Sequence, residues 1–342
     1  MVSKRYYSLI WITLLALLVA VVLISLALGP AGIPVKQTVL ILKEGPTYTP
    51  NSNFSSAQHR IIWYLRLPRI LTALVAGMVL AISGMVYQAL FRNPMADPYV
   101  LGISSGAAFG VAFATFLGLV GGATGVYQVP VAAFIGAIVA TWAIFILSGG
   151  ARRSPTVLLL TGIALNFLLS ALMSLFMYLN RAQLHSIMQW SMGSFATANW
   201  EKLLIMASVS LVALLPITLL TRELDILLLD DASALSVGVS VRRIRLTLLI
   251  LTTLATSVTV AFCGIIGFVG LMVPHIMRLV VGPKHKNLLL FSLLGGALMM
   301  VTADTLSRVV LGATELPVGI ITAIGGSPLF IILLIRNKKE MG

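Results

Sequence analysis

The chain carries few charged residues for its length. Of its 342 residues, 23 are Lys or Arg and 10 are Asp or Glu, whereas a soluble protein is charged at roughly a quarter of its positions. This shortage excludes an ordinary soluble enzyme, a disordered protein and a nucleic-acid-binding domain. The formal net charge is +13, but the basic residues do not form a stripe on a soluble domain. We therefore do not expect nucleic acid as a partner.

Cysteine is almost absent, and the phosphate loop of ATP-hydrolysing proteins is missing. The single cysteine, Cys263, lies inside an apolar stretch, which excludes a disulfide framework and a thiolate metal site. The four histidines are scattered, so we predict no metal site. The sequence has no G-x-x-x-x-G-K-[ST] phosphate loop and no H-E-x-x-H pair. We therefore predict that this chain is not an enzyme and does not itself hydrolyse ATP.

Long charge-free apolar stretches take up most of the sequence. Hydrophobic residues make up 59% of it, and runs of roughly 20 match the bilayer core. The runs do not alternate as barrel strands would. The pattern predicts an all-α, polytopic membrane protein whose ten spans cover 8–28, 70–91, 101–119, 127–147, 156–179, 203–220, 246–263, 264–281, 288–303 and 318–335. The eighth span contains Pro274 and several glycines, so we expect it to be short or broken.

The distribution of positive charge predicts the orientation. With ten spans and a cytoplasmic N-terminus, 15 of the 23 Lys and Arg residues fall in cytoplasmic loops and 8 in outer loops. This excess follows the positive-inside rule and places both termini in the cytoplasm. The protein is therefore expected to be embedded in the cytoplasmic (inner) membrane.

Small residues and ionisable groups bear on how the spans work. Glycines at 77, 84, 295 and 296 and within 101–110 indicate either close helix packing or a helix pair thin enough to let a bulky solute pass.

The middles of the spans hold no ionisable groups, which argues against a proton-coupled carrier. A secondary carrier that works without an ATPase stays an alternative, because Pro274 and the glycine-rich stretches fit broken helices. An intramembrane enzyme would need an acid–base or metal constellation, which the sequence lacks.

Three ordered motifs are more specific than the composition. The first comprises RLPR at 66–69, QALFRNPMADP at 88–98 and LGISSGA at 101–107. The second is GFVGLMVPHIMR at 267–278, and the third joins ELPVG at 315–319 to GGSPLF at 325–330. In these motifs the chain closely resembles the FecCD-type permeases, which are the membrane subunits of ABC importers for iron–siderophores, haem and cobalamin.

The resemblance implies the type II ABC importer permease fold, with residues 1–342 forming one transmembrane domain. It implies a homodimer around an axial pathway, two separate ATPase subunits that hold ATP and Mg²⁺, and one extracytoplasmic binding protein, with no cofactor on this chain. The coupling segment would be 222–245, and the residues placed against the ATPase would be Leu235, Ser236, Val237, Gly238 and Val239.

The resemblance also implies roles for residues elsewhere. Arg66, Arg69 and Arg308 match outward arginines that dock the binding protein, whereas from the residues alone they could equally be snorkelling anchors. The pathway and its gate would be formed by Asn93, Pro94, Met95, Thr156 and Arg181. Arg181 either faces an anionic solute or is a plain interfacial arginine, and Pro155 departs from the polar residue usual in the family. Iron–siderophore or haem is placed first as substrate, cobalamin next, and oxyanions such as molybdate are also moved by relatives.

Overall fold

The structure is a computed structural model that describes residues 4–29, 31–49, 54–120, 127–150, 155–229, 231–236, 238, 240–312 and 314–340. These residues form helices and connecting turns and contain no strand, which confirms the all-α prediction. The α-helices are α1 (Lys4–Ala27), α2 (Val35–Glu44), α3 (Ser56–Arg60), α4 (Leu67–Leu90), α5 (Ile103–Phe116), α6 (Gln128–Leu147), α7 (Pro155–Leu179), α8 (Leu184–Ser191), α9 (Trp200–Leu219), α10 (Thr221–Leu227), α11 (Asp231–Ser236), α12 (Val241–Cys263), α13 (Val269–Val281), α14 (His285–Val309) and α15 (Val318–Glu340).

Seven of the described helical segments are long and apolar enough to cross a membrane. One of them is continuous over Ser56–Leu90, because a π-helical segment, Ile61–Arg66, joins α3 to α4. Three shorter apolar helices lie at Ile103–Phe116, Val269–Val281 and Val318–Ile332. Each predicted span overlaps one of these ten segments, and the short α13 contains Pro274 as expected. The count of ten crossings stays a prediction.

Glycines let the central helices approach closely. A Cβ atom added to Gly77 of α4 would lie 2.1 Å from the carbonyl oxygen of Gly296 on α14. A Cβ atom on Gly84 would lie 1.8 Å from the carbonyl oxygen of Gly270 on α13. These distances are too short for any side chain, so the small residues serve backbone-to-backbone packing, as in other membrane helix pairs. α4 therefore packs closely against both α13 and α14, which also contact each other.

The bundle has two ends that carry different features. At the first, which we call the α2 end, α1 and α14 finish and α4 begins, and α2 contacts α1. At the second, which we call the α10 end, α4 finishes, α14 begins, and α10 contacts both. The predicted orientation would put the α2 end outside and the α10 end in the cytoplasm.

Candidate functional site

The three arginines predicted for docking meet at the α2 end. Arg66 ends the π-helical segment, Arg69 lies in the first turn of α4, and Arg308 lies in the last turn of α14. Arg69 and Arg308 contact Asp304 of α14, and Glu315, from the segment before α15, contacts Arg69. Arg66 lies beside them at the C-terminus of α1. We call these five residues the arginine cluster.

Two members of the arginine cluster bind the C-terminus of α1. Arg66 Nη1 donates hydrogen bonds to the carbonyl oxygens of Leu26 (2.6 Å) and Ala27 (2.9 Å). Arg308 Nη2 donates to Ser25, at 2.6 Å to its hydroxyl and 3.2 Å to its carbonyl oxygen. The last carbonyls of a helix lack partners within it and carry the negative end of its dipole, so two guanidinium groups stabilise this end.

The carboxylates of the cluster link α4, α14 and the segment before α15. Asp304 Oδ1 lies 2.9 Å from both Arg69 Nε and Nη2, and Oδ2 lies 3.2 Å from Arg308 Nε. Arg69 Nη1 donates to both oxygens of Glu315, at 2.8 and 3.0 Å. The side chain of Asp304 is 1% exposed, and a charge so deeply buried is tolerated when it is paired and hydrogen-bonded.

This burial corrects the expectation of three outward guanidinium groups. Arg66 and Arg308 are 6% and 4% exposed, because both are turned into the protein to bind α1. Both guanidinium groups are therefore hydrogen-bonded within the chain in this structure. The part of the cluster that reaches the surface is the pair formed by Arg69, whose side chain is 12% exposed, and Glu315, at 40%. The docking role of the three arginines stays a prediction.

The predicted gate residues form an exposed turn at the α10 end. Asn93, Pro94 and Met95 follow α4 after Phe91 and Arg92, and all three are exposed. A hydrogen bond within the turn stabilises it, because the backbone N–H of Met95 donates to Asn93 Oδ1 at 2.9 Å. It is also joined to the helix, since the N–H of Asn93 donates to the Gln88 carbonyl oxygen at 3.1 Å. The gate loop, as we call residues 92–97, is therefore a defined turn.

Asp97 ends the gate loop and caps a 3₁₀-helix that is hydrogen-bonded to the segment between α12 and α13. Its Oδ1 accepts a hydrogen bond from the N–H of Tyr99 at 2.8 Å and so caps the 3₁₀-helix Pro98–Leu101. The hydroxyl of Tyr99 donates to the Ile266 carbonyl oxygen at 2.9 Å. Burial raises the pKa of Asp97 to about 6, and the hydrogen bond from Tyr99 opposes this shift.

The predicted coupling segment contains two short helices, α10 and α11. Leu235, near the end of α11, is 63% exposed, and Ser236 beside it is exposed as well. Gly238 has a φ of +81° and donates its N–H to the Leu235 carbonyl oxygen at 2.9 Å, so the chain turns there as expected. Val237 and Val239 lie outside the described residues.

α10 is hydrogen-bonded to the rest of the protein at two points. Arg92 Nε, in the gate loop, donates to the carbonyl oxygen of Leu227 at 2.8 Å. Asp225 Oδ1 accepts from the backbone N–H of His285 at 3.0 Å and lies 2.6 Å from its Nδ1. No sequence pattern marks these pairs, because the partners are 135 and 60 positions apart.

Thr156 and Arg181 lie at opposite ends of α7. Thr156 is exposed in the first turn, and Arg181 follows the last residue of the 25-residue helix, about 37 Å away at 1.5 Å per residue. The structure therefore does not bring them together. The guanidinium of Arg181 lies 4.9 Å from the centroid of the Tyr178 ring, a cation–π distance. This contact gives Arg181 a partner within the chain.

The middle of α7 packs against the segment that follows the gate loop. Asn166 Nδ2 donates to the Val100 carbonyl oxygen at 3.2 Å. A Cβ atom on Gly162 would lie 2.4 Å from the same oxygen. Sequence reasoning missed Asn166, although an amide inside an apolar span is a signal for a polar contact between helices.

The described residues bring no three His, Cys, Asp or Glu side chains together as a metal site. A cavity of about 420 Å³ opens next to the arginine cluster. It is lined by Gln189, Trp190, Thr197 and Glu315, among others. The acid that pairs with Arg69 thus also faces this cavity.

Comparisons with known proteins agree with these features. The model of the FecCD transport family matches residues 17–336. The hemin transport system permease protein HmuU of Yersinia pestis is 40% identical over 292 residues, 85% of this chain and 87% of that one. The vitamin B12 import system permease protein BtuC of Klebsiella pneumoniae is 39% identical and covers 88% and 91%. The molybdate import system permease protein MolB of Haemophilus influenzae is 37% identical and covers 97% of both chains.

A solved structure agrees over the whole bundle. An inward-facing metal-chelate type ABC transporter superposes with a TM-score of 0.82 at 35% identity, covering 96% of this chain and 99% of that one. The all-α bundle is therefore an ABC transporter permease fold. With the family model matched over residues 17–336 and relatives this similar over most of both chains, the chain belongs to the FecCD transport family, as an ABC importer permease.

Proposed function

We propose that this permease imports a metal-chelate solute, with an iron–siderophore or haem placed first and cobalamin next. The observation that carries the proposal is the match to a hemin permease over 85% of this chain and 87% of that relative. The vitamin B12 relative supports the second choice. The molybdate relative covers this chain even more fully, so an oxyanion is the alternative solute within the same function.

In this proposal the energy comes from two separate ATPase subunits, which bind ATP and Mg²⁺, and this chain binds no cofactor. The absence of a phosphate loop from the sequence supports the division. The exposed Leu235 at the end of α11 supports an apolar contact with the ATPase. ATP binding would close the ATPase pair, move the coupling segment and open or close the path by alternating access.

We propose that a second copy of the chain completes the pathway. α7 supports this, because Leu160, Phe167 and Tyr178 are 62%, 74% and 66% exposed. Ser170 and Ser174 of the same helix are also exposed, and hydroxyl groups suit a wet path or a helix interface better than lipid. A homodimer with α7 near its axis would provide a helix interface for the exposed apolar side chains and a wet path or helix interface for the serine hydroxyl groups. The predicted location is the cytoplasmic membrane, with both termini in the cytoplasm.

The binding protein would dock at the α2 end. Because Arg66 and Arg308 are occupied by α1, we centre docking on Arg69 and Glu315. A carboxylate on the binding protein would compete with Glu315 for Arg69, whose Nη1 now binds both Glu315 oxygens. Such charged contacts orient a partner and speed its arrival more than they add affinity.

The test is purification followed by reconstitution. We expect the tagged chain to copurify with an ATPase, and liposomes holding the complex to import one of four probes, hemin, a ferric siderophore, cyanocobalamin or molybdate. Import should require ATP inside and the binding protein outside. A chain that purifies alone and moves solute without ATP would instead be a secondary carrier. The break between α12 and α13 is also compatible with that alternative, because such carriers contain broken helices.

A further inference from the structure

Arg92 occupies a backbone position that normally takes glycine. Its φ is +49°, and its N–H donates to the Ala89 carbonyl oxygen while that of Asn93 donates to Gln88. These two bonds form the Schellman motif that ends α4, with Arg92 at the left-handed position. A residue with a Cβ is strained there, so the backbone gives no reason for arginine. The side chain does, because its Nε reaches the carbonyl oxygen of Leu227, the last residue of α10.

Asp225 makes the second connection from the same short helix. Its carboxylate accepts from the backbone N–H of His285, the first residue of α14, and contacts the ring of that histidine. His285 is 1% exposed, so the contact is anchored in the core. The first N–H groups of a helix lack partners within it and carry its positive dipole end. Asp225 therefore holds α10 to α14 through backbone and side chain at once.

We infer that Arg92 and Asp225 are positioning residues that transmit movement of the coupling segment to the gate loop and to α14. The inference rests on the proposed function, since it needs an ATPase that moves α10. Arg92 makes the shorter link, because it is itself the first residue of the gate loop and is followed by Asn93, Pro94 and Met95. A displacement of α10 then pulls on the turn that we expect to gate the pathway.

The variant Arg92→Gly tests the coupling role of Arg92 without disturbing the fold. Glycine suits the left-handed position better than arginine, so the variant keeps the end of α4 and loses the guanidinium. Asp225→Asn weakens the second link by removing the charge. Arg92→Lys is the conservative variant, because it retains one cationic donor. Lys286→Ala is the control, since Lys286 is an exposed cation in the first turn of α14, outside the coupling segment and outside these two contacts.

The experiment measures ATP hydrolysed per solute imported by the reconstituted complex, with the probe that the wild type imports. Arg92→Gly and Asp225→Asn should each copurify with the ATPase as the wild type does. Each should raise the ratio about fivefold or more, the lower end of usual coupling between sites. Arg92→Lys should recover part of the loss, and Lys286→Ala should match the wild type.

Two results would overturn the inference. A ratio for Arg92→Gly equal to that of the wild type would show that the link transmits nothing. Loss of the copurified ATPase from Arg92→Gly would show that Arg92 builds the ATPase contact instead of transmitting its movement. A wild-type complex that fails to import any probe would count against the proposed function, so the two failures are distinguishable.

Discussion

Removal of the Asp304 carboxylate should destabilise the protein far more than removal of the Glu315 carboxylate. Asp304 is 1% exposed and contacts both Arg69 and Arg308. Asp304→Asn leaves those guanidinium groups without their shared anion, and breaking a buried ion pair in this way costs about 3–5 kcal/mol. Glu315 binds Arg69 at similar distances but is 40% exposed, so Glu315→Gln should cost about 0–1 kcal/mol.

The assay is the free energy of unfolding in detergent micelles, followed by tryptophan fluorescence during chemical denaturation. A double variant, Asp304→Asn with Arg69→Met, should recover part of the loss, because it removes a guanidinium group left without the buried carboxylate, and the other partner of Arg69 is the exposed Glu315. Equal losses for Asp304→Asn and Glu315→Gln would refute the reasoning. They would mean that Asp304 is not a buried anion and that the arginine cluster is a surface feature after all.

Three further predictions concern packing, the gate loop and the ATPase contact. Gly77→Ala should destabilise the protein by about 3 kcal/mol or prevent folding, because the new methyl group would overlap the Gly296 carbonyl oxygen. Gly325→Ala, which meets open space in a helix, should be neutral or stabilising in the same denaturation assay. Asp97→Asn should keep the cap of the 3₁₀-helix, whereas Asp97→Ala should cost about 1 kcal/mol, and equal melting temperatures would contradict this. Leu235→Ser should reduce the ATPase that copurifies with the chain while leaving its own melting temperature unchanged.

The helices of the bundle were predictable from the sequence because lipid imposes a simple pattern. A span needs about 20 apolar residues and satisfied backbone groups, so charge-free runs mark helices directly. α4, α12 and α14 all fall on such runs. Even the short α13 followed from Pro274 and its neighbouring glycines, which limit helix length. The glycine contacts between α4, α13 and α14 followed from the need for small residues where membrane helices touch.

The environment of the arginines was not predictable in the same way. Arg66 and Arg308 lie near helix ends, where a sequence cannot distinguish an arginine in water from one folded back onto a neighbouring helix. Arg69 and Asp304 are 235 positions apart, and hydropathy says nothing about which helices meet. One signal was available, since Asp304 and Arg308 are four positions apart at the end of an apolar run. An acid there demands a buried partner.

Arg92 shows a different limit. Its position depends on the backbone at the end of α4, and no pattern in the sequence marks an arginine that takes a left-handed conformation. The contact with Leu227 uses a backbone carbonyl, so the identity of the partner residue carries no information. Contacts of this kind can be identified only from the folded structure.

The most direct test of the account is solute import by liposomes that contain this chain, its copurified ATPase and the binding protein. We predict uptake of one of the four probes that stops when ATP or the binding protein is left out. Uptake that continues without ATP, by a chain that purifies without any ATPase, would contradict the account.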